Sequence, residues 1–202
     1  MYMAELRDVN VQKDSMRFRR NLERIGELLG YEVSKKLEYV LTDVTTPLGI
    51  AQVPVLKEQP VIANILRAGI PLHHGVLNIL DKADNAFISA YRQHHKDGTF
   101  DVHVEYLACP SIEGKELILC DPMLATGTSM VLTYQALLRR GKPKHIHVLS
   151  VVSSMFGIDY VKKHLPENCT IWTCAIDEEL TAQSYIVPGL GDAGDLAFGQ
   201  KL

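Results

Sequence analysis

Short unbroken apolar runs alternate along the chain with longer stretches of helical spacing. Runs at 61–66, 85–91, 116–121, 145–152 and 170–175 predict strands, with 39–44 as a further one. Leu117, Ile118 and Leu119 are apolar without a break, as a strand covered on both faces requires. Between several of these runs, 70–80, 128–140 and 157–164 carry apolar residues at helical spacing. That alternation predicts an α/β fold, a mostly parallel sheet flanked by helices. An amphipathic helix is predicted at the amino end, starting at Asp14 or Ser15, with Met16, Phe18, Leu22, Ile25, Leu28 and Leu29 on one stripe and Gly30 as its stop. Residues 99–107 behave differently. Phe100, Val102, Val104 and Tyr106 alternate with Asp101, His103 and Glu105, the pattern of a half-exposed strand. Paired with 85–91 across the polar turn 93–98, it predicts a β-hairpin hood over the carboxyl edge of the sheet, able to close on a substrate.

Composition narrows the class. A chain of 202 residues builds one sizeable core, so a single domain over 1–202 is expected. No 18-residue apolar run is present, and Glu5, Arg7 and Asp8 interrupt any signal-peptide core, so a cytoplasmic location is expected. A formal net charge of −3 supplies no global positive field for collecting nucleic acid. Cys109, Cys120, Cys169 and Cys174 form no C-x-x-C pair and read as free thiols, those at 120 and 174 as apolar filler in strands. His73-His74, His94-His95 and His145-x-His147 lack a three-ligand zinc spacing and read as surface or satisfied histidines. Asp43 and Asp177 are left open between edge and capping roles.

Chemistry concentrates at 117–129. Asp121 sets a carboxylate at the carboxyl end of a buried strand, where ligands of open α/β sheets bind, and Pro122 has no N–H to continue the ladder. Ala125, Thr126, Gly127, Thr128 and Ser129 are small or hydroxylated, so main-chain N–H groups can converge on an anion at the start of the next helix. An ordinary turn capped by Thr126 or Ser129 is the competing reading, and it leaves Asp121 without a purpose. A carboxylate there suits the two hydroxyls of a ribose whose 5′-phosphate sits in the loop. The loop lacks a Walker Gly-Lys-Ser/Thr ending and the three-glycine dinucleotide fingerprint. Arg67 follows the strand at 61–66, and Ala68-Gly69 gives its backbone room to approach a ligand, although a surface salt bridge would also place an arginine there. Arg92, beside Gln93, His94, His95 and Lys96, could reach a phosphate from the hairpin or stay solvated.

Asp121-Pro122-Met123-Leu124-Ala125-Thr126-Gly127 resembles the phosphoribosyl pyrophosphate (PRPP) loop of type I phosphoribosyltransferases, in the wording of the uracil phosphoribosyltransferase branch. The tail, Tyr185-Ile186-Val187-Pro188-Gly189-Leu190-Gly191-Asp192-Ala193-Gly194-Asp195, is similar to that branch's uracil-binding segment, and Ile65-Leu66-Arg67-Ala68-Gly69 to its pyrophosphate loop. The resemblance implies transfer of the phosphoribosyl group of PRPP to uracil, giving UMP and pyrophosphate, with Mg²⁺ on the donor. It implies PRPP binding by Arg67, Arg92, Asp121, Pro122, Met123, Leu124, Ala125, Thr126, Gly127, Thr128, Ser129 and Asp192. Arg67, Asp121 and Asp192 would be the catalytic residues, and Ile186, Gly191, Asp192 and Ala193 would bind uracil. Uracil presents an acceptor, donor, acceptor edge, whose complement is main-chain N–H, C=O and N–H from a loop bent by Pro188, Gly189 and Gly191. A homodimer or larger assembly is also implied. Two alternatives stand beside this reading: a related enzyme for another base, and a PRPP-sensing regulator that binds nucleic acid through Arg17, Arg19, Arg20 and Arg24. The chain departs from the branch at Ile70-Pro71-Leu72-His73-His74-Gly75, where Leu-Gly-Met-Met-Asp-Gly is usual, and at Thr128 and Leu196, where glycine and a basic residue are usual.

Overall fold

The computed structural model describes residues 1–94 and 100–200, with side chains described outside 90–104. A short helix, α1 (Tyr2–Arg7), leads into a long one, α2 (Ser15–Ser34). Asp14 caps α2 by accepting from the Arg17 N–H at 3.0 Å. Next comes a two-stranded ribbon, β1 (Tyr39–Thr46) with β2 (Gly49–Leu56), almost wholly exposed. The sheet then forms from β3 (Val61–Ile65), α3 (Ile70–Ile79), β4 (Asp84–His94), β5 (Phe100–Ala108), β6 (Glu116–Cys120), β7 (Met123–Leu124), α4 (Thr128–Leu137), β8 (His145–Ser154), α5 (Met155–His164) and β9 (Cys169–Asp177). A small ladder, β10 (Glu179–Leu180) with β11 (Ile186–Val187), and a last helix, α6 (Ala193–Phe198), form the tail.

Strand order in the sheet is β5-β4-β3-β6-β8, with β9 and the short β7 both paired to β8. All pairs are parallel except β4 with β5, as the sequence predicts for the hairpin. Two apolar layers cover the sheet. Leu22, Ile25 and Leu29 of α2 and Leu72 and Val76 of α3 pack on Ile62, Ile118 and Leu149, whereas Met130, Val131 and Val161 pack on Val61, Leu117 and Val148 of the other face. Truncating any of the leucines, isoleucines or Met130 among these to Ala costs about 2–5 kcal/mol.

Topology places the site. From β3 the chain builds outward through α3 to β4, and from the adjacent β6 it builds the opposite way through α4 to β8. The crevice between the carboxyl ends of β3 and β6 is therefore the switch point of the sheet. Residues 66–69 and 121–127 emerge there side by side.

Three expectations fail here. Gly30 does not end α2, which runs on to Ser34. It is a packing residue, since a Cβ there would lie 3.2 Å from the Cα of Val76 in α3. Met16 and Leu28, read as part of the buried stripe, are exposed. The run at 39–44 is a strand but lies outside the parallel sheet, in a ribbon whose second strand, β2, the sequence reading missed. It missed α1 and α6 as well, both only six residues long and too short for a periodic signal.

Candidate active site

β6 ends at Cys120, and Asp121 turns into the crevice with its Oδ1 accepting from the Met123 N–H at 3.3 Å. Beyond it the loop is held from behind by β8 and α5. The Ser150 hydroxyl accepts from the Leu124 N–H at 3.1 Å, the Val151 and Val152 N–H groups donate to the Pro122 carbonyl at 3.0 Å, and Ser154 Oγ donates to the Ala125 carbonyl at 2.6 Å. Gly157 completes the backing, because a Cβ there would lie 2.6 Å from the Leu124 carbonyl oxygen. Gly127, at φ +76°, begins α4 with no side-chain cap. Ser129 does not cap the helix, whereas the Thr126 hydroxyl accepts from the N–H of Thr128, its first residue, at 3.4 Å and donates to the Thr128 hydroxyl at 3.1 Å. The positive end of α4 points into a cradle of about 60 Å³ lined by Asp121, Ala125, Thr126, Gly127 and Ser129.

Two further cavities share Asp121 with this cradle. One of about 210 Å³ is walled by Ala68, Asp121, Ile186, Gly191, Asp192 and Ala193. All four residues expected at a uracil site thus line a single cavity beside Asp121. The other, of about 550 Å³, is bounded by Arg67, Ser89, Glu105, Asp121, Ser129 and Asp192. Burial raises the Asp121 pKa from 3.8 to about 7; the Met123 N–H opposes the rise and the Asp192 charge adds to it. Asp192 also caps α6, accepting from the Asp195 N–H at 2.9 Å.

Arg67 lines the larger cavity and also makes the surface ion pair that was its competing reading. Its Nη2 donates to Asp195 Oδ1 and to the Gly199 carbonyl, each at 3.2 Å. Gly69 behind it is obligatory, since a Cβ would meet Asn64 Oδ1 and the Cys120 carbonyl at 2.5 Å. Arg92 lies on β4 opposite Val102, but its side chain is outside the described residues, as are residues 95–99 of the expected turn.

Sequence reasoning missed several members of the site. Ser89 and Glu105, bonded to each other at 3.0 Å, rim the larger cavity from the hairpin, and Ser184 lines the smaller one just before the tail motif that opens at Tyr185. None carries a local signal; the Ser89–Glu105 pairing is set by strand register with a bulge at Ser89/Ala90. One histidine reading is corrected, at His73, and another is borne out, at His147, which is satisfied at Nδ1. His73 is buried against Phe87, with ring centroids 5.3 Å apart, and burial lowers its pKa to about 4. His147 is buried too, its Nδ1 accepting from Trp172 Nε1 at 3.2 Å, and its pKa is likewise lowered to about 4 by burial. Both are neutral core groups. The four cysteines are free, Cys120 buried and Cys174 exposed rather than filler.

Switch-point cradle, flanking hairpin and mostly parallel sheet together define a type I phosphoribosyltransferase fold. A hypoxanthine phosphoribosyltransferase from Staphylococcus aureus shares it at TM-score 0.54 and 15% identity, covering 80% of this chain and 76% of that one. The AQ2163 protein of Aquifex aeolicus is similar at TM-score 0.85 and 26% identity, covering 98% and 94%. A family model described as uracil phosphoribosyltransferase matches residues 1–200. The uracil phosphoribosyltransferase of Porphyromonas gingivalis is 54% identical over 201 residues, which is 100% of this chain and 93% of that protein. The chain belongs to the uracil phosphoribosyltransferase family, and is a pentosyltransferase by that membership.

Proposed function

We propose that the chain transfers the phosphoribosyl group of PRPP to uracil, forming UMP and pyrophosphate, as a cytoplasmic homodimer or larger homo-oligomer. The observation that carries this is the meeting of three cavities at Asp121. The smallest suits a 5′-phosphate on the amides of residues 125–129, the largest suits a pyrophosphate beside Arg67, and the third suits a flat base against the main chain of Ile186, Gly191, Asp192 and Ala193. Asp121 accepts from the ribose hydroxyls and fixes the sugar between them. The C1′–O bond breaks with its electron pair leaving on pyrophosphate, uracil N1 forms the new bond to C1′, and the N1 proton passes to the released pyrophosphate or to water. Positioning of base and donor in line supplies much of the rate.

Among the described side chains of the larger cavity, Arg67 stands against the carboxylates of Glu105, Asp121, Asp192 and Asp195. A polyanionic donor entering there fits these residues when it carries a hard cation, whose oxygen ligands it provides. Mg²⁺ on the donor supplies charge neutralisation of the leaving group.

The exposed ribbon supports the oligomer. The regulator alternative loses its main support, because the arginines of α2 are engaged within the chain. Arg17 pairs with Glu5 at 2.6 Å, Arg20 with Glu23 at 2.6 Å, Arg19 donates to the Ala197 carbonyl at 2.6 Å, and Arg24 donates to Asn21 at 3.2 Å. Purified protein mixed with uracil, PRPP and Mg²⁺ is expected to release UMP and pyrophosphate in equal amounts. No UMP, or faster consumption of cytosine or hypoxanthine than of uracil, overturns the assignment.

A further inference from the structure

The base cavity is walled in part by residues 184–186 and 191–194, a segment with little regular secondary structure. Among the described residues its ladder is the two-residue pairing of β10 with β11, beside a turn closed by the Thr181 N–H on the Tyr185 carbonyl at 2.9 Å, and Gly189 and Gly191 have positive φ of 56° and 92°. Such a loop is entropically costly to hold still. Its support comes from the opposite end of the chain. Arg7, the last residue of α1, grips Asp177, the last residue of β9, with two parallel hydrogen bonds: Nη1 to Oδ2 at 2.8 Å and Nη2 to Oδ1 at 2.9 Å. Both partners also hold Gly189. Arg7 Nη1 donates to its carbonyl at 3.1 Å, and its N–H donates to Asp177 Oδ2 at 2.9 Å. Gly189 in turn rests directly against the backbone of Ile186, leaving no room for a Cβ, and Ile186 walls the base cavity. Gln12 extends the grip, its Nε2 donating to the Leu190 carbonyl at 3.2 Å and to the Leu6 carbonyl at 2.8 Å.

We propose that Arg7 and Asp177 are positioning residues for base recognition: a bidentate ion pair that sets where the main chain of residues 186–191 stands and so fixes affinity for uracil. Neither residue lines any of the three cavities that meet at Asp121. Their action is through Gly189 alone, one side chain fixing the carbonyl and the other the N–H of the same peptide neighbourhood. Geometry favours arginine specifically, because a planar fork reaches two carboxylate oxygens and a carbonyl at once, whereas an ammonium on a flexible stem does not hold that arrangement. The pair is also well sheltered, with side-chain exposures of 26% and 9%, so it is worth more than a surface ion pair. A purely apolar anchor is the competing account, since Ile186, Leu190, Ala193 and Ala197 are buried in the layer with Leu6 and Leu22.

This inference rests on the uracil reading, and its test separates the two. Wild-type protein is first assayed for UMP; absence of product there ends the reading itself. With turnover established, Arg7→Lys and Asp177→Asn are expected to raise the KM for uracil about tenfold while the KM for PRPP shifts by less than about twofold, a loss of about 1.4 kcal/mol confined to one substrate. The conservative Arg7→Lys keeps charge and bulk, so its effect reports the fork itself. The double variant Arg7→Ala/Asp177→Ala should weaken uracil no more than Arg7→Ala or Asp177→Ala alone, since the two act as one unit. An unchanged uracil KM in the conservative variants overturns the proposal, as does a parallel rise in both KM values or additive effects in the double variant. If the alanine variants fail to fold, the lysine and asparagine variants alone decide the matter.

Discussion

At the scale of the residue, Asp121 pits function against stability. Folding takes its carboxyl from an ordinary 3.8 to about 7, mainly through burial. From about pH 4 to about 7 the folded protein holds a proton that the unfolded chain has released, so stability falls as pH rises across that window. Above about 7 the folded protein carries a charged, partly buried carboxylate and its cost is present. Asparagine keeps the shape and the acceptor for the Met123 N–H but has no charge to bury. Asp121→Asn is therefore expected to raise the melting temperature at about pH 8 and leave it unchanged at about pH 4, while lowering kcat/KM by about 100-fold. A variant no more stable at the higher pH contradicts the burial argument, and full activity removes Asp121 from the ribose. The free enzyme should also bind PRPP more tightly as pH rises through about 7, since the carboxylate is the form that accepts from ribose hydroxyls. Asp121 was legible in the sequence because an acidic group ending an apolar run has no structural use. Asp177 was not legible. Its purpose is a contact with Arg7, 170 positions away, and nothing local to either residue announces it.

Elements divide in the same way. The strands β3, β6 and β8 were readable because burial on both faces demands continuous apolar runs, and the loop after β6 was readable because only small and hydroxyl residues let backbone amides converge. What buttresses that loop was hidden. Gly26, Gly30 and Gly75 look like helix breakers yet let α2 and α3 pack backbone to backbone, and Gly157 looks like an ordinary helical glycine yet leaves space for the loop carbonyls. Gly157→Ala isolates this buttress. Its methyl would press on the Leu124 and Ala125 carbonyls and tilt residues 125–129 away from the 5′-phosphate. The overpacking should cost about 1–3 kcal/mol of stability. Steady-state kinetics should show the KM for PRPP rising about tenfold, with the KM for uracil much less affected. That split is the reverse of the one expected for the Arg7–Asp177 pair, and it would show that each substrate has its own supporting framework.

On the scale of the whole molecule, the ribbon of β1 and β2 does not belong to a finished surface. A two-stranded hairpin has marginal stability in water, and this one projects with its outer edges unpaired and apolar side chains on both faces. Register puts Val40 opposite Val55, Thr42 opposite Val53 and Val44 opposite Ala51, a β-branched face with its four valines between 37% and 41% exposed. On the other face Leu41 is 70% and Ile50 74% exposed, and Leu48 at the tip is 99% exposed. Contiguous apolar surface of this kind marks an association site. On the oligomer proposed above, a second copy of the chain would be the occupant, since a symmetric pair buries the same patch on both subunits. Val44→Glu with Val53→Glu places two charges on that face without touching the substrate cavities. Once the parent is found to sediment as the oligomer proposed above, the variant should sediment as monomer at micromolar concentration. If the doubly substituted protein sediments as the parent does, the ribbon lies outside the subunit interface and its apolar faces need another partner.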